Sequence, residues 1–317
     1  MSDILYLVIP CYNEEDVLRE TAARLEQKIG AMAGRGLVGD GSRVVFVDDG
    51  STDRTWEIIT DLHRENKLIT GFRLAHNAGQ QKSLYAGLMA AKDRADIIVS
   101  MDADLQDDIE VMDEMVLAYN KGDDIVYGVR SSRKKDSFVR RNASEGFYRF
   151  TKMMGIDIVP DHAHYRLMSR RAVEALAEYG ETNLFLPYLV PQLGFRHSMV
   201  YYERNKRFAG KTKYSLRKLF LMGVDGITSF STKPIEMITV LVAVSLLAFL
   251  AGVAAMIAQK IVHGSVPSWL YLFSSLWLVG AFQLFAIRIV GEYVGKTFKE
   301  AKRRPRYIVS ENLMDEE

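Results

Sequence analysis

Over the first 130 or so residues, short apolar runs alternate with longer stretches in which apolar positions recur every three to four residues. Ile4 to Ile9, Arg43 to Val47, Ile69 to Leu74, Ile97 to Met101 and Ile125 to Val129 have the length and β-branched content of buried strands. The periodic stretches near 14–33, 53–66, 79–92 and 109–121 predict helices between them. Such alternation implies an α/β fold, a parallel-rich sheet joined by right-handed crossovers with helices on both faces. Ligands of these sheets sit beyond the carboxyl ends of the strands, so the residues that follow each strand are the first to inspect.

Further along, residues 131–154 are basic and then aromatic, and 163–207 read as further strands and a helix from Arg170 to Glu178. Tyr214 to Ser231 carries apolar residues at helical spacing with basic residues opposite near its start, which suits a helix lying along a bilayer interface. Two runs, Met237 to Ala258 and Val266 to Ile287, contain no charge. Each would rise roughly 33 Å as a helix, enough to cross a hydrocarbon core. The short connection Gln259 to Ser265 makes them a helical hairpin with both outer ends on one side. Basic residues crowd both outer flanks and only Lys260 lies in the connection, so the positive-inside rule puts both termini in the cytoplasm, at the inner or plasma membrane. The N-terminal run has no basic region and ends at Pro10, as a strand does and a signal peptide does not. No internal repeat is visible.

Composition changes this picture little. Lys and Arg number 41 against 40 Asp and Glu, a net charge of +1, which argues against a nucleic-acid binder. The one cysteine, Cys11, excludes an internal disulfide and reads as packing.

The candidate chemistry lies after the strands. Asp102-Ala103-Asp104-Leu105-Gln106 follows the fourth, and two acids at i and i+2 with a third oxygen donor suit a hard cation, Mg²⁺ or Mn²⁺, bridging a diphosphate. Asp48 and Asp49, after the second strand, suit recognition of a base or ribose at the same sheet edge. Gly34-Arg35-Gly36-Leu37-Val38-Gly39 matches the dinucleotide fingerprint, but a helix precedes it and a strand follows, so it is a loop. No P-loop motif is present. His162 and His164 lack a third ligand at usable spacing for zinc and are read as structural or substrate-contact residues. Trp269, Tyr271 and Trp277 fit interfacial anchoring or lipid packing.

The runs V-I-P-C-Y-N-E-E (8–15), V-D-D-G-S-T-D-R-T (47–55), N-A-G-Q-Q-K-S-L-Y-A-G (77–87), D-A-D-L-Q-D (102–107), G-V-R (128–130), Y-R-L-M (165–168) and R-F-A-G-K-T-K-Y (207–214) resemble a family 2 glycosyltransferase. With G-E-Y-V-G-K-T-F-K-E-A-K-R-R-P-R-Y-I-V (291–309) and the hairpin, the chain is similar to the polyprenyl-phosphate glycosyltransferases, the group of bactoprenol glucosyltransferase and dolichol-phosphate mannose synthase. The resemblance implies a GT-A type nucleotide-sugar-binding domain over 1–213, an interfacial helix over 214–232, the hairpin over 233–290 and a basic cytoplasmic segment over 291–317. It implies that Pro10, Tyr12, Glu14, Val47 and Asp49, with Asp48 beside them, hold the nucleoside. Asp102, Ala103, Asp104 and Gln106 would hold the metal and diphosphate, and Arg130, Arg140, Ser144, Arg207 and Lys213 the donor diphosphate or acceptor phosphate. Two departures bear on the sugar and on local geometry: Asp108 and Ile109 replace a common proline pair, and His164 precedes Tyr165 where bacterial members often have Asp.

The implied reaction is an inverting transfer from a nucleotide sugar, UDP-glucose first and a UDP-N-acetylhexosamine or GDP-mannose next, to undecaprenyl or another polyprenyl phosphate for cell-envelope glycan modification. A lipid phosphate with a second pKa of ~6 is already nucleophilic at neutral pH and needs no general base. A hydroxyl acceptor and a catalytically idle membrane scaffold are the alternatives. The expected partners are the nucleotide sugar, the lipid phosphate, the bilayer and further copies of the chain, a tetramer among the possibilities, with no nucleic acid.

Overall fold

The structure, a computed structural model, describes residues 2–131, 162–181, 184–203, 261, 268–302 and 304–315. Along the chain these form β1 (Leu5–Cys11), α1 (Leu18–Gly34), β2 (Arg43–Asp48), α2 (Thr55–Glu65), β3 (Ile69–Leu74), α3 (Gln80–Ala91) and β4 (Ile97–Ser100). A 3-10 turn (Ile109–Val111) then leads into α4 (Met112–Asn120), β5 (Ile125–Arg130), β6 (His162–Ser169), α5 (Arg170–Ala177), α6 (Leu186–Gln192) and β7 (His197–Tyr202). The last elements are α7 (Ser268–Ala301) and β8 (Val309–Asn312). The chain divides into two compact units, one holding the sheet with residues 304–317 and the other holding α7.

The eight strands form one mixed sheet in the order β7-β5-β6-β4-β1-β2-β3-β8. β1 pairs in parallel with β2 and β4, and β2 with β3, as the strand–helix alternation predicts. β5 does not continue the parallel series beside β4: β6 lies between them, antiparallel to both. β7 closes one edge parallel to β5, and β8 closes the other antiparallel to β3. β1 and β4 are buried along almost their whole length because helices cover both faces, which is why these strands read as continuous apolar runs rather than alternating ones.

Leu5, Leu7 and Ile9 of β1, Val44 and Phe46 of β2, and Ile97 and Val99 of β4 point into a core with Leu18, Leu25 and Ile29 of α1, Ile59 and Leu62 of α2 and Met112 and Met115 of α4. The opposite face carries α3, whose Gly87 sits so close to β1 and β2 that an added Cβ would lie 2.3 Å from Val8 Cγ1 and 2.9 Å from Val47 Cγ2. That contact sets α3, and with it the residues opening the helix, at a fixed height over the carboxyl ends of the central strands. Lys28 of α1 is buried and ion-paired to Glu110 at 2.6 Å and Asp113 at 3.1 Å, which ties α1 to the turn following the 102–107 loop.

α7 runs well past Ile287, where the apolar run ends, and its segment Leu278–Phe298, of mean hydropathy 1.4, is long and apolar enough to cross a membrane. The expected hairpin has its first arm, Met237 to Ala258, outside the described residues, as is the interfacial stretch from Tyr214 to Ser231. Among the described residues there is one helix of spanning length and hydropathy.

Candidate active site

Three loops at the carboxyl ends of β1, β2 and β4 make the candidate site. The first two are one hydrogen-bonded surface. Asn13, held in the left-handed region at φ 53, donates its N–H to Ser51 Oγ at 3.0 Å and accepts the Thr52 N–H on Oδ1 at 2.9 Å. The Glu14 N–H donates to Thr55 Oγ1 at 2.9 Å, and Glu15 Oε2 accepts the Arg54 N–H at 3.1 Å. Gly50 makes this turn possible: its φ is +66, and a Cβ there would lie 2.7 Å from the carbonyl carbon of His76.

Pro10, Tyr12 and Glu14 line this surface half-buried, within reach of a ligand. Val47 does not, since its side chain is fully buried under α3. Asp48 and Asp49 are buried too, and the chain itself uses their carboxylates. Asp49 accepts the Ala78 N–H at 2.8 Å and the Gly79 N–H at 3.0 Å, anchoring the start of α3, whose Gly79 supplies no side-chain cap. Asp48 accepts the Ser51 N–H at 3.1 Å and pairs with Arg73 Nε at 3.2 Å. Burial raises both carboxyls above the ordinary Asp value, and these hydrogen bonds pull back against it.

The third loop carries the concentrated charge. Asp102 is half-buried and accepts Gln80 Nε2 at 2.8 Å from the first residue of α3. Ala103 is buried, and its carbonyl accepts Thr21 Oγ1 of α1 at 2.8 Å. Asp104 Oδ1 accepts the Gln106 N–H at 3.1 Å, and between them Leu105 sits at φ 55, a left-handed conformation that costs a non-glycine residue about 1 kcal/mol. Burial, then the charges of Asp107 and Asp104, push the Asp102 carboxyl up to about 7, against the opposing pull of Arg130 and Gln80. Carboxylates thus outnumber cations around Asp102. This is hard-oxygen chemistry short of positive charge, and it fits a divalent cation. Among the described residues no three His, Cys, Asp or Glu side chains group closely enough to enclose a metal, so Asp102 and Asp104 would leave part of any coordination shell to other donors.

Arg130, at the end of β5, donates through Nη2 to Asp107 Oδ1 at 3.2 Å, and the Tyr202 hydroxyl donates to the same oxygen. Burial works against the Arg130 charge, but Asp107 and Tyr202 more than offset it, so the guanidinium stays firmly protonated. Asp107 Oδ2 and Arg130 Nε are buried and have no hydrogen-bond partner among the described residues, so this pair retains bonding capacity. Arg140, Ser144, Arg207 and Lys213 lie outside the described residues, as does the His162 side chain.

Asp107, Tyr202, Arg166, Gln80 and Gln81 were not assigned site roles from the sequence. Asp107 had a signal, being a further acid in the same run. So did the two glutamines, a polar pair opening a helix just after Gly79. Gln81 accepts the Leu186 N–H at 3.1 Å and places its amide 3.3 Å from His164 Nε2, so His164 belongs to the site's periphery. Arg166, in β6 opposite Ser100 and Tyr127, is buried and donates to the Leu186 carbonyl at 3.4 Å, and burial lowers its guanidinium to about 10. Nothing local marks Arg166 or Tyr202, which reach the site only because β6 and β7 flank β5.

The glycosyl transferase family 2 profile matches residues 6–177. The chain is 45% identical over 315 residues to the uncharacterized glycosyltransferase YkoT of Bacillus subtilis, an alignment covering 99% of this chain and 93% of that protein. It is 35% identical to the prophage bactoprenol glucosyl transferase homolog of Escherichia coli, over 96% of this chain and 97% of the relative. The fold is shared with the mannosyltransferase PcManGT of Pyrobaculum calidifontis, solved with GDP-Man and Mn²⁺, at a TM-score of 0.50 and 16% identity over 96% of this chain and 89% of that one. The chain is a glycosyltransferase of family 2 and belongs to its polyprenyl-phosphate group, with the bactoprenol glucosyl transferases.

Proposed function

We propose that the protein transfers glucose from UDP-glucose to a polyprenyl phosphate, with inversion to a β-linked lipid-phosphate sugar, at the cytoplasmic face of the membrane. The observation that carries this reading is the crowding of Asp104 and Asp107 on Asp102 at the carboxyl edge of the sheet, a site short of positive charge where a diphosphate bridged by a divalent cation fits. Relatives 33–35% identical over 96% of the chain that carry the bactoprenol glucosyl transferase name support the lipid carrier and the hexose.

Asp102, Asp104 and Gln106 are the residues that would hold Mg²⁺ or Mn²⁺. When bound, the cation supplies electrostatic stabilisation of the departing diphosphate. Pro10, Tyr12 and Glu14 hold the nucleoside. Asp48 and Asp49 support the nucleoside by shaping the loop on which it lies, whereas Val47 contributes through the backbone. Arg130, kept charged and oriented by Asp107 and Tyr202, donates to the diphosphate as negative charge develops there. Arg140, Ser144, Arg207 and Lys213 position the acceptor phosphate near the anomeric carbon. That phosphate attacks without a general base, since at neutral pH it is already largely dianionic.

The layout we propose is a catalytic domain over 1–213, an interfacial helix over 214–232, a membrane hairpin over 233–290 and a basic segment over 291–317, with both termini cytoplasmic and the chain a homo-oligomer. The hairpin keeps the site at headgroup height while the lipid tail stays in the bilayer.

The test is transfer by purified full-length protein to undecaprenyl phosphate with Mg²⁺, across a panel of UDP- and GDP-sugars, reading nucleoside diphosphate and lipid product together. One donor giving both in equal amounts is the expected result. Metal-dependent UDP binding without lipid product from any donor would overturn the phosphate acceptor and favour a hydroxyl.

A further inference from the structure

Residues 304–315 return to the sheet and cover its β3 edge. The Ala75 N–H donates to the Ile308 carbonyl and the Leu313 N–H to the Gly71 carbonyl, each at 2.9 Å, with Arg73 opposite Glu311 in the register between them. The docking is held at both ends. Arg306 donates to the Tyr85 hydroxyl and the Tyr179 carbonyl, and Arg94 donates to the Met314 carbonyl at 2.7 Å. Leu313 and Met314 are buried.

At the centre of this edge, one side chain joins β8 to the candidate nucleoside surface. Arg73 directs Nε to Asp48 Oδ2 at 3.2 Å, Nη2 to the Ser51 carbonyl at 3.1 Å and Nη1 to Glu311 Oε1 at 3.4 Å. These are three acceptors on two segments, the β2–α2 turn and β8, arranged for a planar fork that an ammonium group cannot reproduce. Asp48 is fully buried, and Arg73 is the cation paired with it. Ser51 in turn accepts the Asn13 N–H, so the brace extends through the β2–α2 turn to the β1–α1 loop. The Glu311 contact is partly exposed and weak by itself. Its contribution is to hold the guanidinium from the side opposite Asp48, on a strand fixed by backbone pairing.

We propose that Arg73 is a positioning residue for nucleotide binding, and that strand β8, which follows the membrane-embedded part of the chain, acts on the nucleoside-binding loops through it. This rests on the assignment of those loops to the nucleoside of the donor. Its consequence is that donor affinity depends on a segment far along the chain that touches no donor atom. The effect falls on binding, since Arg73 approaches none of Asp102, Asp104 and Arg130 among its hydrogen-bonded and ion-paired partners.

Full-length Arg73→Lys and Glu311→Arg proteins, in detergent, test this by donor KM and kcat, by UDP affinity from calorimetry and by amide hydrogen exchange over residues 49–55. Arg73→Lys is expected to raise donor KM and UDP Kd about tenfold with kcat within about twofold of wild type, the scale of one lost charge-assisted hydrogen bond. Glu311→Arg should move both in the same direction by about threefold. Both should speed exchange at Ser51 and Thr52. Unchanged exchange and KM in both variants, or a fall in kcat at constant KM, would overturn the proposal. If Arg73→Lys does not fold, Glu311→Arg decides by the same readings. If the wild-type protein does not bind UDP, the nucleotide reading fails, and the exchange measurement still shows whether β8 braces the loop.

Discussion

Replacing Asp102 by Asn should make the metal-free protein more stable while abolishing its response to metal. In the folded chain the Asp102 carboxyl titrates at about 7 against an ordinary 3.8, because burial and the charges of Asp107 and Asp104 outweigh Arg130 and Gln80. A raised folded value means that folding favours the protonated form. The stability associated with this group is therefore complete below pH 3.8, falls as pH rises toward about 7 and is flat above. At about 1.4 kcal/mol per unit, the ionised carboxylate costs the metal-free fold roughly 4 kcal/mol at pH 8. Asn keeps an oxygen to accept from Gln80 Nε2 and cannot ionise, so most of that cost disappears. For a domain of this size, this corresponds to a rise of roughly 10 °C in Tm. The assay is thermal unfolding of wild type and Asp102→Asn in EDTA and in Mg²⁺, at pH 5.5 and pH 8. The difference in EDTA should be about 2 kcal/mol at the lower pH and about 4 kcal/mol at the higher, and Mg²⁺ should stabilise only the wild type. A variant no more stable than wild type in EDTA at pH 8, or a parallel pH dependence for the two proteins, would refute the reasoning.

Other substitutions separate the roles of neighbouring residues. Gly87→Ala would gain about 1 kcal/mol of helix propensity in α3 but places a methyl 2.3 Å from Val8 Cγ1, so denaturant unfolding should show a net loss of about 1–3 kcal/mol. Asp49→Asn turns one acceptor into a donor facing the Ala78 and Gly79 N–H groups, with an expected loss of about 1–3 kcal/mol in stability and a weaker UDP complex by calorimetry. Tyr202→Phe removes one of the two donors to Asp107 Oδ1, and transfer assays should show kcat/KM down by about tenfold with folding intact by circular dichroism.

How far the sequence reached is clearest element by element. The strands β1 to β5 and helices α1 to α4 lie within a few residues of where periodicity places them, because each buries a run whose spacing is set by its own backbone geometry. The acidic 102–107 run was legible for the same reason: short, local and at a strand end. Asp48 and Asp49 were legible as a carboxylate pair at the sheet edge, yet the sequence did not show that Ser51, Arg73, Ala78 and Gly79 engage them. The insertion of β6 between β4 and β5, the approach of Tyr202 to Asp107 and the return of β8 to β3 were not legible at all. Each depends on strands meeting across tens or hundreds of residues. That pairing is decided by which edges remain free and which buried polar groups need partners once the chain has collapsed. Local pattern therefore determined the elements, the family and the acidic 102–107 run of this protein. Tertiary structure alone decided which charges surround that run, and placed Arg73 between the β2–α2 turn and strand β8, because hydrogen bonds and ion pairs between distant segments leave no periodic trace in the sequence.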